Sequence, residues 1–335
     1  MVRAAIVGLG RWGQALVSAV QGKDAGITFT LGQTRSRAKA EEYCRAKGIR
    51  LVDDFDAVLA DNAVDAVVLA TPHSQHEDQI VRAARAGKHV FVEKPFALTR
   101  QSAVAALDAV SKAGVVLGIG YNRRFHPNMR ELKARVADGS LGAIGSCVCE
   151  YSVTAGLFTP RENWRSDPHE TPAAAMTAIG VHPMDAMIDV LGRVTEAHCI
   201  TARRAAPHAD DTTSVLLKFA SGATGLLFAS LASAANFRFT VYGSKGFAEL
   251  SPATLDTFRL VAAPDQPSAN WNVAPEAEVK QAPGFDTLNA ELTAFAAAIH
   301  DGKPFPVSHA DILHGVEVFE AIVRSAASGQ IVKLA

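Results

Sequence analysis

Val2-Arg3-Ala4-Ala5-Ile6-Val7, running straight into Gly8-Leu9-Gly10-Arg11-Trp12-Gly13, is the stretch whose reading decides the fold. The first six residues are almost wholly apolar and too few for a helix, so they form a short buried strand. Residues 14–21 then carry a helical pattern. Between them stands Gly-x-Gly-x-x-Gly in its required context of strand, tight turn and helix. Gly8 permits the turn, Gly10 lets the backbone approach a pyrophosphate, and Gly13 lets helix and strand pack closely. The helix start offers unpaired N–H groups to phosphate. The spacing therefore predicts a dinucleotide site on Gly8, Gly10, Arg11, Trp12 and Gly13.

Working outward, strands and helices alternate. Strands are expected at 27–31, 64–70, 90–92 and 115–119, with helices at 36–47, 55–60, 75–86 and 99–113. That order builds a doubly wound parallel sheet, an α/β fold. The tip after the second strand reads Gly32-Gln33-Thr34-Arg35-Ser36-Arg37, with two arginines and no acid. An acid there would bond the ribose 2′-hydroxyl of NAD(H), whereas arginine pairs with a 2′-phosphate. NADP(H) is favoured over NAD(H). The bland reading of Arg35 and Arg37 is the start of a solvated helix.

Val90-Phe91-Val92-Glu93-Lys94-Pro95 is a buried strand that ends in an acid, a base and a proline. Ligands bind at the carboxyl ends of such strands. Thr71-Pro72-His73-Ser74-Gln75-His76 leaves a neighbouring strand at the same edge. Two strand-end loops thus bracket one crevice, with His76 either touching the cofactor or packing on its own helix.

Near residue 120 the style changes. A loop through Asn122 enters a helix at 128–138, a half-buried strand follows at 147–153, and the long polar loop 155–172 contains Trp164-Arg165. Residues 173–191 are helical in pattern, and Pro183 in their interior should kink them. Six adjacent strand-like segments between 196 and 261 favour an antiparallel or mixed sheet. Helices near 287–299 and 309–327 and a tail strand at 331–334 complete the pattern, and 264–275 is the loosest stretch. The expected domains are 1–120 for the dinucleotide and 121–335 for substrate and oligomer contacts.

Hydrophobic residues make up 48% of the 335 and charged residues 20%, enough apolar surface for two cores. The net charge of −1 argues against nucleic acid or an anionic membrane as partner. Four cysteines without a Cys-x-x-Cys pair suit free thiols, and no secretory signal precedes Gly8, so a soluble cytoplasmic protein is expected. Neither His73 with His76 nor His309 with His314 makes a convincing ligand pair, and no metal is expected.

These motifs, taken together and in order, resemble the glucose–fructose oxidoreductase / inositol dehydrogenase (Gfo/Idh/MocA) family. The resemblance rests on Gly8–Gly13, Thr71-Pro72 with His76, Glu93-Lys94-Pro95, Trp164-Arg165 and Gly180-Val181-His182-Pro183-Met184-Asp185. Asp301-Gly302-Lys303-Pro304 and Ser325-Ala326-Ala327-Ser328-Gly329 add to it. It implies an N-terminal Rossmann domain and a C-terminal α/β domain with a large open, mostly antiparallel sheet. A homodimer or homotetramer would form through that sheet. It implies an NAD(P)-dependent oxidoreductase moving hydride on a hydroxyl/carbonyl pair of a small polar substrate, a sugar, inositol or related polyol. It would place the cofactor against Gly8–Gly13, Thr34, Arg35, Thr71, Pro72, His73, His76, Glu93, Lys94, Asn122, Trp164 and Arg165.

Hydride transfer needs the reacting carbon about 3–3.5 Å from the nicotinamide and a group that polarises the oxygen. Lys94 is the expected catalytic group, with His182 as partner or alternative acid/base. The blander roles are an ion pair with Glu93 for Lys94 and a buried, satisfied imidazole for His182. Trp164, Arg165, Lys94 and His182 are candidates for substrate contact. One departure stands out: many family members carry an aspartate four residues before the helix histidine, and here that residue is Ala178, beside Thr177. The alternative reading is therefore an NAD(P)-binding sensor or interaction protein without net turnover.

Overall fold

The glycine-rich turn joins β1 (Val2–Val7) to α1 (Arg11–Val20), which starts three residues before the expected helix and so takes Gly13 inside it. The structure, a computed structural model, describes residues 1–264, 266 and 276–334. Of the stretch read as loosest, residues 265 and 267–275 lie outside the described residues. The chain forms two units, Met1–Asn122 with Asp286–Val316, and Arg123–Phe285 with Glu317–Ala335.

In the first unit the alternation continues as β2 (Ile27–Gln33), α2 (Arg37–Lys47), β3 (Arg50–Val52), α3 (Phe55–Ala60), β4 (Ala66–Leu69), α4 (His76–Arg85), β5 (His89–Val92), α5 (Arg100–Ala113) and β6 (Leu117–Ile119). The strands pair in parallel in the order β3-β2-β1-β4-β5-β6. Residues of β4 and the Val90–Val92 part of β5 are wholly buried, as a strand covered on both faces requires. The order reverses between β1 and β4, which opens a crevice at their carboxyl ends. Strand β3 had no counterpart in the sequence reading. Three half-buried or exposed residues at a sheet edge are too few to show a period.

The second unit holds α6 (Pro127–Ala137), with Pro127 at its first turn, where a missing N–H costs nothing. Strand β7 (Ile144–Ser152) follows. The helix expected over 173–191, with a kink at Pro183, is a π-helical turn, Met176–Gly180, leading into α7 (Val181–Leu191). Pro183 thus lies in the first turn of α7. Its ring would crowd the carbonyl of Ile179 in a regular α-helix, and the wider turn accommodates it.

The remaining strands are β8 (Val194–Ala202), β9 (Thr212–Phe219), β10 (Thr224–Ser230), β11 (Asn236–Gly243), β12 (Gly246–Ser251), β13 (Thr257–Ala262) and β14 (Ala277–Gln281). With the tail strand β15 (Val332–Lys333) they pair in the order β14-β13-β12-β11-β7-β10-β9-β8-β15. Within this sheet only β7 and β10 are parallel neighbours among the described strands. Strand β14, also absent from the sequence reading, is a charged edge segment.

One face of this sheet packs on α6 and α7 and buries Cys147, Cys149, Cys199, Val215, Leu217, Leu227 and Ala229. Side chains alternate, so the other face carries Ile200, Leu216, Leu226 and Phe228, all exposed. The four cysteines are free and buried.

Helix α8 (Thr287–Asp301), grouped with the second domain in the sequence reading, packs on α1, β1 and β2 and belongs to the first unit. Phe295 on α8 meets Phe91 of β5 edge to face, with centroids 5.6 Å apart. Helix α9 (His309–Ser328) follows, and β15 (Val332–Lys333) pairs with β8.

Candidate active site

Gly8 sits at φ +97°, and a Cβ there would stand 2.4 Å from the carbonyl oxygen of Ala70. Its N–H donates to Gln33 O at 2.9 Å, which pins the turn against β2. A Cβ on Gly13 would lie 1.9 Å from Gly8 O, so helix and turn approach as only glycine allows. Gly10 differs: a Cβ there would meet nothing within 4 Å. Gly10 is the N-cap of α1, no side chain caps that end, and the first turn holds no acid. An uncapped helix start with open space over a glycine fits a dinucleotide pyrophosphate.

The two strand-end loops meet at His76. Its ring is fully buried, with Nδ1 at 3.0 Å from Pro95 O and Nε2 at 3.2 Å from Thr71 O. The imidazole therefore ties the loop after β4 to the Lys94-Pro95 segment after β5. Thr71 donates to Gln79 Oε1 at 2.6 Å, fixing the loop to α4, and Pro72 and His73 are half-buried beside it.

Lys94 is half-buried, whereas Glu93 is only 6% exposed. Burial pushes the Glu93 carboxyl up to about 7, against a hydrogen bond from Trp12 and the charge of Lys94, which both favour the ionised form. The Lys94 N–H donates to Glu93 Oε2 at 3.3 Å, while Glu93 Oε1 accepts no hydrogen bond among the described residues. Trp12, part of the glycine loop, thus also acts on the Glu93 carboxyl at the end of β5. Asn122 donates to Thr287 Oγ1 at 2.8 Å, joining the end of β6 to the start of α8.

At the tip of β2, Thr34 is half-buried and Arg35 exposed. Arg35 makes no ion pair with the described residues, but Arg37 pairs with Asp53 at 2.5 Å. Asp53 was not anticipated, because it reaches this tip from outside the local motif.

In the second unit, Asn163 caps the short turn Trp164–Ser166 by accepting from the Arg165 N–H at 3.0 Å. The Arg165 guanidinium lies 4.1 Å from the Trp164 ring centroid, a cation–π contact. His182 and Ala178 are both half-buried, whereas Thr177 and Val181 are buried, so 178 and 182 share the accessible edge of their helix. Thr177 donates to the Pro172 carbonyl and does not replace the absent acid. The Asp185 carboxylate accepts from Arg124 at 2.6, 2.9 and 3.1 Å, all buried, and Arg124 also reaches Asp189 at 3.0 Å. Asp185 holds the fold here.

The sequence profile described as "Oxidoreductase family, NAD-binding Rossmann fold" matches residues 2–121, and that of the "GFO/IDH/MocA C-terminal domain" matches residues 129–249. The chain belongs to the Gfo/Idh/MocA family. It is an NAD(P)-dependent oxidoreductase of the dehydrogenase/reductase class.

Inositol 2-dehydrogenase of Rhizobium meliloti (strain 1021) is 29% identical over all of this chain and 99% of its own length. D-xylose 1-dehydrogenase (NADP(+)) 2 of Haloferax volcanii is 27% identical over 90% of each chain. The solved aldose-aldose oxidoreductase of Caulobacter crescentus, complexed with glycerol, superposes with a TM-score of 0.84 at 28% identity over 99% of both chains. Within this Gfo/Idh/MocA chain no helix of the described residues is long and apolar enough to cross a membrane, and none of their side chains cluster as metal ligands.

Proposed function

We propose that this Gfo/Idh/MocA chain oxidises or reduces a hydroxyl/carbonyl pair on a sugar, an inositol or a related polyol, with NADP(H) preferred over NAD(H). The observation that carries the reading is the glycine cradle of Gly8, Gly10 and Gly13, with Lys94 presented at the end of β5 in the same unit. The relatives that act on inositol, xylose and aldoses support the substrate class.

When bound, the nicotinamide ring takes up or gives back the hydride. Lys94 bonds the reacting oxygen and stabilises the negative charge that develops on it. The hydroxyl proton leaves to Lys94 or to His182, the second acid/base group. Trp12, Glu93 and His76 position Lys94. Thr71, Pro72, His73 and Asn122 complete the cofactor side, and the stacked Trp164-Arg165 pair offers a planar cation to cofactor or substrate.

Arg35 supports the NADP(H) preference, since a guanidinium without a carboxylate partner can bind a 2′-phosphate bidentately. Arg37 adds less, because Asp53 already neutralises it. Fluorescence titration should give a lower Kd for NADPH than for NADH. Arg35→Ala should weaken NADPH roughly tenfold or more and leave NADH within about twofold, from the loss of one charged contact. Tighter binding of NADH by the wild type would sink the preference.

The second reading, dinucleotide binding without net turnover, is favoured by Ala178 and by the engaged Thr177 hydroxyl. Tight NADPH binding with no turnover across a panel of polyols and keto sugars would select it. We further infer a cytoplasmic homodimer or homotetramer. The exposed apolar row Ile200, Leu216, Leu226 and Phe228 supports assembly through the open sheet. The four free buried thiols suit a reducing compartment.

A further inference from the structure

We propose that Glu93 and Glu291 ionise as a pair inside the first unit and retain one proton between them at neutral pH. Glu291 is 0% exposed, and neither of its carboxyl oxygens accepts a hydrogen bond among the described residues. Glu93 Oε1 is in the same position. Two adjacent rows bring them together. Phe91 and Glu93 lie two apart at the end of β5 and point to one side. Glu291 and Phe295 lie four apart on α8 and share one helix face. Since Phe91 packs on Phe295, this spacing puts Glu93 and Glu291 side by side one layer on, and the charge of Glu93 acts on Glu291.

Strand β6 leaves room for both layers. A Cβ on Gly118 would stand 2.7 Å from Phe91 and 3.0 Å from Phe295, and one on Gly120 would stand 2.8 Å from Glu93 Oε1. Two buried carboxylates that act on one another cannot both be charged without great cost. Burial first, then Glu93 and then Asp286 push the Glu291 carboxyl well above its ordinary range. Trp12 and Lys94 act on the other side of the pair and keep Glu93 the more acidic partner. Glu291 is thus a positioning residue. It fills the space behind Glu93 as a neutral acid, so the strand end that carries Lys94 holds one negative charge rather than two.

Both folded-state pKa values lie above their unfolded values, so the folded chain binds more protons than the unfolded one. The stability is fully present below about pH 4.5 and is lost as pH rises through about 7 and beyond. The proposal is independent of the substrate, because its tests use neither cofactor nor turnover. The infrared spectrum of the wild type at neutral pH should contain the C=O stretch of a buried protonated carboxylic acid, and Glu291→Gln should remove it. The melting temperature of the wild type should fall as pH rises from about 6 to about 9, and that of Glu291→Gln should fall less. If Glu291→Gln does not fold, Glu93→Gln serves: the protonated-acid band should remain at neutral pH, on Glu291, and should be lost at lower pH than in the wild type, because the Glu93 charge no longer opposes ionisation. A wild-type spectrum without a protonated-acid band at neutral pH would overturn the pair. So would equal pH dependence of melting in wild type and Glu291→Gln.

Discussion

The entry into α1 and the entry into α7 solve opposite problems. At α1 the main chain does the work: glycines set the turn, and backbone N–H groups are left for a ligand. At α7 a π-helical turn accommodates a proline, and side chains do the rest, with Thr177 tied to Pro172 and Asp185 to Arg124. A site made of backbone leaves few sequences able to form it. A site made of side chains can carry Ala178, where the family resemblance leads one to expect an acid, within a π-helical turn.

Substitutions can break this contrast. The largest effect is expected for Lys94→Ala, which should lower kcat on the true substrate about 10²–10⁴-fold while leaving the NADPH Kd within about threefold. Turnover that survives within about threefold would remove Lys94 from the proton transfer. Next comes Asp185→Ala, which removes three buried hydrogen bonds from Arg124, keeps the one to Asp189, and should cost about 3–5 kcal/mol in denaturant unfolding. An unchanged midpoint would mean that the pair is dispensable. The smallest step is the comparison of Gly8→Ala with Gly10→Ala. The first forces a Cβ onto Ala70 O at positive φ and should cost about 1–3 kcal/mol of stability. The second has open space, so it should melt like the wild type and lose dinucleotide affinity instead. Equal loss of stability in both would show that the open space over Gly10 is not reserved for a ligand.

The same contrast explains what could be read from the residues alone. The parallel sheet was legible because each buried strand is an apolar run closed by glycine, proline or a polar loop. Glu93-Lys94-Pro95 and His76 were placed correctly at one sheet edge for the same reason. The clamp formed by His76 was not, since its partners are carbonyls that no side-chain pattern encodes. Strands β3 and β14 escaped because edge strands need no buried face. Asp53 beside Arg37 and Glu291 behind Glu93 are contacts across many residues. Glu291 did leave a signal, a lone acid on the helix face that Phe295 marks as buried. The π-helical turn left one too, in Pro183 following Gly180 within an otherwise apolar helix.

The late arrival of α8 in the first unit has a consequence for synthesis. Residues 123–285 are translated between β6 and the helix that covers Phe91 and Glu93. A nascent chain that has completed all six strands of the parallel sheet still shows the ribosome and its chaperones a bare aromatic face. The first unit can finish folding only after most of the second has emerged, so the emergence of α8 decides when the dinucleotide cradle becomes permanent.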